Sequence, residues 1–334
     1  MINQDKMFGI FTEFDQWLRL VNLRTNLSGL NDAIIKGRGH DVIQVAEALH
    51  EKKIARIADM IAERRSTVKV VLISGPSSSG KTTFSKRLGL QLVVNGIRPV
   101  TLSIDNYFVD RDKTPRDENG DYDFEAVEAI DVKFFNQQLI ALTKGEEVEI
   151  PKFNFQTGSR YFDGEKMQLH DGDMLVIEGT HGLTPRLTEF IPSEVKFRIY
   201  VAPLSGINFD STTRINTTDN RLIRRIVRDY ATRGYTAQDT IARWPSVRRG
   251  EDRFIYPNQE EADVMFNSAL IYELAVLKAK AEPILLEVAP NSDEYAEARR
   301  LIKFLSHFKP LDADSIPPTS ILREFLGGSS FHYD

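Results

Sequence analysis

The chain has 334 residues, of which 43 are Lys or Arg and 48 are Asp or Glu, so its net charge is −5. Because it contains no cysteine, disulfide scaffolds, thiolate zinc sites and cysteine nucleophiles are excluded. A hydrophobic fraction of 41% is enough for a buried core, and we find neither a membrane-spanning apolar run nor a signal peptide. We therefore expect a cytoplasmic enzyme or binding protein. The mild acidity argues against a general nucleic-acid binder. Whether the chain forms a homo-oligomer stays open.

Composition divides the chain into segments. Residues 1–66 are polar with helical periodicity and are predicted to form a helical N-terminal extension or junction, with one or two helices over 41–65. In residues 67–290, short apolar strands alternate with helical sequence, which predicts βαβ units and a parallel sheet covered on both faces. Residues 291–334 are predicted to form a helix over 294–308 and a Pro-rich tail that docks onto the body.

A glycine- and serine-rich turn lies between a predicted strand over 68–74 and a predicted helix over 81–94. It matches the pattern GxxxxGK[ST], in which backbone N–H groups surround phosphate oxygens at a helix N-terminus. Lys81 would reach the β- and γ-phosphates, and the Thr82 hydroxyl would bind Mg²⁺. We assign ATP binding to this turn and the residue after it: Gly75, Pro76, Ser77, Ser78, Ser79, Gly80, Lys81, Thr82 and Thr83.

Two acidic residues end apolar strands further along the chain. Asp105 ends the predicted strand PVTLSID and Glu178 ends MLVIE, so both are expected at the carboxyl edge of the sheet, where open α/β folds bind ligands. Asp105 could accept the proton of a substrate hydroxyl or hold Mg²⁺ through water, and Glu178 is a candidate carboxylate near the metal. The alternative for each is an ordinary acid in the turn after a strand.

Arginines are dense beyond residue 214. Arg221, Arg225 and Arg228 recur at helical spacing and form one basic face, with Arg233 shortly after. Such a face is usually solvated, but beside a phosphate loop arginines can stabilise a transferring phosphoryl group and close over a nucleotide. We predict that role for Arg225, Arg228 and Arg233, with Arg233 on the nucleotide, and solvent exposure for the others.

These motifs, in this order, resemble the uridine kinase/phosphoribulokinase family of P-loop kinases over roughly residues 68–285. The matching segments are GPSSSGKTTFSKRL, SIDNYF, YDFEAVEAID, IPKFNFQTGSR, VIEGTH and LIRRIVRDYATRG. The resemblance implies an α/β fold: a three-layer α/β/α P-loop NTPase with a parallel sheet, a small β-hairpin subdomain near 148–169 and a helical lid. It also implies ATP with Mg²⁺, a small-molecule acceptor and Asp105 as the catalytic base.

The same resemblance implies an acceptor site. Its expected residues are Glu125, Phe153, Phe155, Arg160 and Tyr107. Phe153 and Phe155 alternate as on a strand, so they could line a base- or sugar-binding hairpin or simply pack it.

The departures from the family pattern fall at this acceptor site. Glu125 replaces an aspartate that holds ribose hydroxyls, and Gly158 replaces the histidine that reads the base. Phe153 replaces a tyrosine, and Tyr235 replaces the second arginine of the lid RGR motif. The phosphate and metal residues are therefore retained while the base-reading groups are altered, which weakens discrimination among acceptors.

The flanks carry a further resemblance. VAEALHEKKIARIADMI and PPTSILREFLGG are similar to parts of longer bacterial proteins in which such a kinase follows domains similar to the N-terminal part of threonyl-tRNA synthetase.

His181, three residues after Glu178, is predicted to be a hydrogen-bonding loop residue.

We expect phosphorylation of a nucleoside of the uridine or cytidine type. One alternative is a sugar or sugar-phosphate kinase of the same family, and the other is an ATP-binding regulatory or RNA-associated module without turnover.

Overall fold

The computed structural model describes residues 5–20, 26–118, 120, 122–204, 208–209 and 215–333. The helices within these residues are α1 (Asp5–Leu20), α2 (Leu27–Ile35), α3 (Gly39–Glu63), α4 (Lys81–Val94), α5 (Val132–Thr143), α6 (Thr217–Thr232), α7 (Ala237–Gly250), α8 (Glu273–Leu286), α9 (Tyr295–Ser306) and α10 (Arg323–Leu326). The strands are β1 (Val70–Ser74), β2 (Pro99–Ser103), β3 (Val148–Glu149), β4 (Lys152–Asn154), β5 (Ser159–Tyr161), β6 (Lys166–Met167), β7 (Met174–Glu178), β8 (Lys196–Ala202) and β9 (Val264–Asn267).

The central sheet is parallel throughout, with strand order β2-β7-β1-β8-β9. All residues of β1 are buried, as expected for a strand covered on both faces. Val71 and Ile73 pack into the core on one side of the sheet, whereas Val70 and Leu72 pack into the core on the other. Helices on both faces make this the three-layer α/β/α architecture that the alternation of strands and helices predicts.

The larger of these two cores contains distant parts of the chain. It includes residues of α2, α3, α4, α6 and α8, together with Ile316, Ile321, Leu322 and Phe325 from the C-terminal segment. That C-terminal segment is therefore part of the interior beside the phosphate loop.

Smaller elements flank the carboxyl edge of the sheet. Strands β3 with β6 and β4 with β5 form short antiparallel ladders, which build the predicted hairpin subdomain. Helices α6 and α7 form the helical lid, and a π-helical turn, Glu251–Ile255, directly follows α7. No helix among the described residues is both long and apolar enough to cross a membrane.

Helix α4 has the predicted bounds, and β1 begins two residues later than predicted, at Val70. The prediction that Asp105 ends the second strand is wrong: strand β2 ends at Ser103, and Asp105 lies in the 3₁₀ turn Ile104–Tyr107 just beyond it.

Candidate functional site

The turn between β1 and α4 has a backbone that depends on particular residues. A Cβ on Gly75 would lie 1.9 Å from the carbonyl oxygen of Val201, so only glycine fits there. Ser78 (φ 58°) and Gly80 (φ 83°) both have left-handed backbone conformations. The hydroxyls of Ser78 and Ser79 are buried and have no hydrogen-bond partner among the described residues. Unpartnered hydroxyls at a helix N-terminus suit a phosphate group, because that end of a helix attracts anions.

Ser77, within this turn, is contacted by several residues of the lid. Arg225 Nη1 donates to Ser77 Oγ at 2.9 Å, and Arg221 Nη1 donates to the Ser77 carbonyl oxygen at 3.2 Å. The Ser77 N–H donates to Glu251 Oε1 at 2.9 Å. The lid is therefore bonded to the phosphate loop through both side-chain and backbone atoms.

The prediction that Arg221 is exposed to solvent is wrong. Its side chain is 2% exposed, and its two terminal nitrogens bind the two carboxylate oxygens of Glu251 at 2.5 and 2.7 Å. Arg224, on the same helix, is fully buried and binds Glu273 through Nε at 2.8 Å. Buried arginines need such partners, because a charge without one would be costly to bury. Arg224, Glu251 and Glu273 were not predicted, since helical spacing does not reveal partners tens of residues away.

Arg228 and Arg233 share one carboxylate. Arg228 Nε donates to Asp229 Oδ1 at 2.9 Å, and Arg233 Nη1 lies 3.8 Å from the same oxygen. Repulsion from Arg228, together with burial, lowers the pKa of Arg233 to about 10. Clustered lid arginines that repel one another would be stabilised by an anion, and phosphate is such a group.

Two carboxylates lie at the carboxyl ends of neighbouring strands. Ser103 Oγ donates to Glu178 Oε1 at 2.9 Å. Burial and the negative charge of Asp105 raise the pKa of Glu178 to about 7. A divalent cation would favour the ionised form, so this pair suits Mg²⁺. Within the described ranges, no group of three or more His, Cys, Asp and Glu side chains could hold a metal, so an ion here would also need substrate oxygens or Thr82.

Glu125 lies against the end of the lid. A Cβ on Gly250 would come within 2.3 Å of Glu125 Cβ, so the last residue of α7 packs its backbone on this side chain. Burial and the charge of Glu251 raise the pKa of Glu125 to about 7. The residue expected to bind an acceptor is thus in direct contact with the lid.

The aromatic residues of the hairpin pack together and against the lid. The ring centroids of Phe153 and Phe155 are 5.2 Å apart, and Phe108 lies 5.5 Å from Phe153. The Arg233 guanidinium lies over the Phe155 ring, 4.7 Å from its centroid. This cation–π contact links the hairpin to the lid.

The other expected acceptor residues differ in their surroundings. Arg160 donates from both terminal nitrogens to Asp131 Oδ2 at 3.1 Å and is partly buried. Tyr107 is fully buried, and its hydroxyl donates to Gln138 Oε1 at 2.5 Å. Tyr107 therefore packs in the core of the ligand-free structure, and its contact with an acceptor stays a prediction.

The side chain of Arg111 packs against Gly158, the position at which the family pattern is expected to have a histidine. Gly158 has φ +72°, and a Cβ there would lie 2.5 Å from Arg111 Nε. Arg111 Nη2 donates to the Phe155 carbonyl oxygen at 2.9 Å.

His181 is buried, its Nδ1 lies 3.3 Å from Thr184 Oγ1, and burial lowers its pKa to about 4. Its ring is therefore neutral and hydrogen-bonded within its loop.

Comparison with known proteins places this site in a family. The model of the "Phosphoribulokinase / Uridine kinase family" matches residues 70–274. Uridine-cytidine kinase B of Dictyostelium discoideum is 26% identical over 197 residues, which cover 59% of this chain and 73% of that protein. Uridine kinases of Ureaplasma parvum serovar 3 and Halobacterium salinarum are each 24% identical, covering 58% of this chain and 86% and 77% of those proteins. Since the family model spans more than half of the chain, from the central strand to the start of α8, the protein belongs to the phosphoribulokinase/uridine kinase family.

Proposed function

We propose that this protein is an ATP-dependent kinase that transfers the γ-phosphoryl group to a hydroxyl of a nucleoside of the uridine or cytidine type. The observation that carries the proposal is the hydrogen bond from the lid residue Arg225 to Ser77, which brings cationic lid residues onto the phosphate loop. Relatives named as uridine kinases support the nucleoside acceptor.

The residues from Gly75 to Thr83 would bind the phosphates through backbone N–H groups and hydroxyls. Lys81 already lies on this loop, with Nζ donating to the Pro76 carbonyl oxygen at 3.2 Å. Thr82, Glu178 and Asp105 would hold Mg²⁺, whose positive charge offsets the charge of the phosphates.

Asp105 would accept the proton of the acceptor hydroxyl. Arg225, Arg228 and Arg233 would stabilise the charge that develops on the transferring group. Glu125, Phe153, Phe155 and Arg160 would position the acceptor beneath the lid.

The proposal is tested by measuring product with Mg·ATP over a panel of nucleosides, pentoses and pentose phosphates. We expect a nucleoside to be phosphorylated, and Asp105→Asn to lower kcat by about 10²–10⁴-fold because the catalytic base is lost, while ADP binding measured without Mg²⁺ is kept because the phosphate loop is unchanged. Asp112→Asn, an exposed acid seven residues later in the chain, is the matched control and should leave kcat unchanged. ATP binding without a phosphorylated product from any acceptor would contradict the kinase proposal and favour a regulatory module.

A sugar or sugar-phosphate acceptor is the second candidate. Arg111, from the 3₁₀ turn Arg111–Lys113, packs beside Gly158, where the family pattern has the base-reading histidine, so a guanidinium lies there in place of an imidazole. Turnover of pentoses or their phosphates, with nucleosides inactive, would decide for this candidate.

A further inference from the structure

The C-terminal segment contacts the phosphate loop directly. Glu324 Oε2 accepts hydrogen bonds from Thr83 Oγ1 at 2.7 Å and from the Thr83 N–H at 3.4 Å. The Tyr333 hydroxyl lies 2.9 Å from the same Thr83 Oγ1. A Cβ on Gly80 would come within 2.5 Å of a methyl group of Ile321. The segment thus covers the start of α4, where the phosphate loop ends.

The backbone that carries Glu324 is firmly held. Ser320 Oγ donates to Glu47 Oε1 at 2.5 Å, and Ile321, Leu322 and Phe325 are almost fully buried. The Glu324 side chain itself is only partly buried. It can therefore change rotamer without detachment of the segment.

The bonds to Glu324 use donors that an anion would need. Thr83 is at the third position of α4, where backbone N–H groups have no partner within the helix and attract negative charge. One carboxylate oxygen of Glu324 accepts hydrogen bonds from both the N–H and the hydroxyl of Thr83, as an oxygen of a phosphate bound at this place would. The pKa of Glu178 is raised by burial, by Asp105 and to a smaller degree by Glu324. The negative charge of Glu324 therefore acts on a carboxylate that is proposed to bind the metal.

We propose that Glu324 is a residue of the nucleotide site, where its carboxylate occupies the Thr83 donors in the free protein and must leave them when a nucleotide phosphate binds. This inference rests on the proposed assignment of Thr83 to nucleotide binding. Glu324 then lowers nucleotide affinity in two ways: a charge-assisted hydrogen bond must be broken, and a negative charge stays near the phosphates.

The test is calorimetric measurement of Kd for ADP and for inorganic pyrophosphate with the wild type and with Glu324→Gln. Glutamine can still accept the Thr83 hydrogen bonds, but without a charge. We expect roughly three- to tenfold tighter binding of both ligands in the variant, since neutral hydrogen bonds are about half as strong as charged ones. Tyr333→Phe, which removes another bond to Thr83, should give a smaller gain. Adenosine, which carries no phosphate, should bind both proteins equally.

Glu194→Gln is the matched control, because Glu194 is exposed on a different surface and the change in net charge is the same. Thermal melting of each variant shows whether it is folded. Unchanged or weaker ADP binding in folded Glu324→Gln, with normal binding by the wild type, would overturn this inference alone. Absence of ADP binding in both proteins would overturn the proposed nucleotide site as well. Binding by the variant alone would support the inference.

Discussion

Glu178 is expected to gain or lose its proton near neutral pH. Burial and Asp105 raise its pKa from 4.5 to about 7 in the folded protein. Between these pH values the folded state binds more protons than the unfolded state, so the free energy of unfolding decreases as the pH rises. Glu125, whose pKa is also raised to about 7, acts in the same direction.

Buried His50 and His181, whose pKa values burial lowers to about 3 and about 4, act in the opposite direction, so the contribution of Glu178 is isolated by substitution. Because Glu178→Gln cannot ionise, the change in the free energy of unfolding from pH 5 to pH 7.5 should be at least about 1 kcal/mol more negative in the wild type than in the variant, a fraction of the energy of a pKa shift of this size. Urea denaturation at both pH values measures the effect, and Glu194→Gln serves as the control. A pH dependence in Glu178→Gln equal to that of the wild type would show that other groups cause it.

Single functional residues can be predicted from the sequence when their position in the fold follows from the residues around them in the chain. Glu178 and Asp105 could be placed because polar residues after buried parallel strands meet at one edge of the sheet. Glu251 and Glu324 could not, because their contacts with the phosphate loop join residues 174 and 241 positions apart. The spacing of apolar or charged residues within one segment does not indicate a contact partner so far away in the sequence.

Among the elements, the lid depends on the pair formed by Arg221 of α6 and Glu251 of the π-helical turn. Both side chains are buried, and each also binds Ser77 of the phosphate loop. This ion pair therefore couples the position of the lid helices to the conformation of the loop.

Replacing Glu251 with Gln should destabilise the protein by about 3 kcal/mol, because it leaves the Arg221 charge buried without a counterion. The double variant Arg221→Met with Glu251→Leu should recover much of this loss, since it removes both charges. Asp252→Asn, at a neighbouring exposed acid, is the control. Chemical denaturation measures each value, and a loss in the double variant as large as in Glu251→Gln would contradict the explanation.

Elements were predictable to different degrees. Helix α4 and strands β1, β2, β7 and β8 have clear apolar runs next to recognisable turns. Strand β9 was not predicted, because its four residues form a short edge strand between helical segments and are too few to show a period. The π-helical turn after α7, in which Glu251 is fully buried, was also not predicted.

For the whole molecule, the C-terminal segment is a structural part of the core. Leu322 is fully buried among residues from several helices. We expect Leu322→Ala to lower the free energy of unfolding by about 2–5 kcal/mol, because it leaves a cavity. Leu286→Ala, at a position 62% exposed, should change it by less than about 0.5 kcal/mol. Equal effects of the two substitutions, measured by chemical denaturation, would show that the segment does not pack as described.

The contact between Thr83 and Glu324 has a consequence for the order of folding. It closes a loop of more than two hundred residues, and contacts so distant in sequence form late because the loss of chain entropy comes first. During synthesis, the phosphate loop and all strands of the central sheet leave the ribosome before residues 320–333 do. Until those residues emerge, the Thr83 N–H and hydroxyl lack the Glu324 carboxylate as an acceptor.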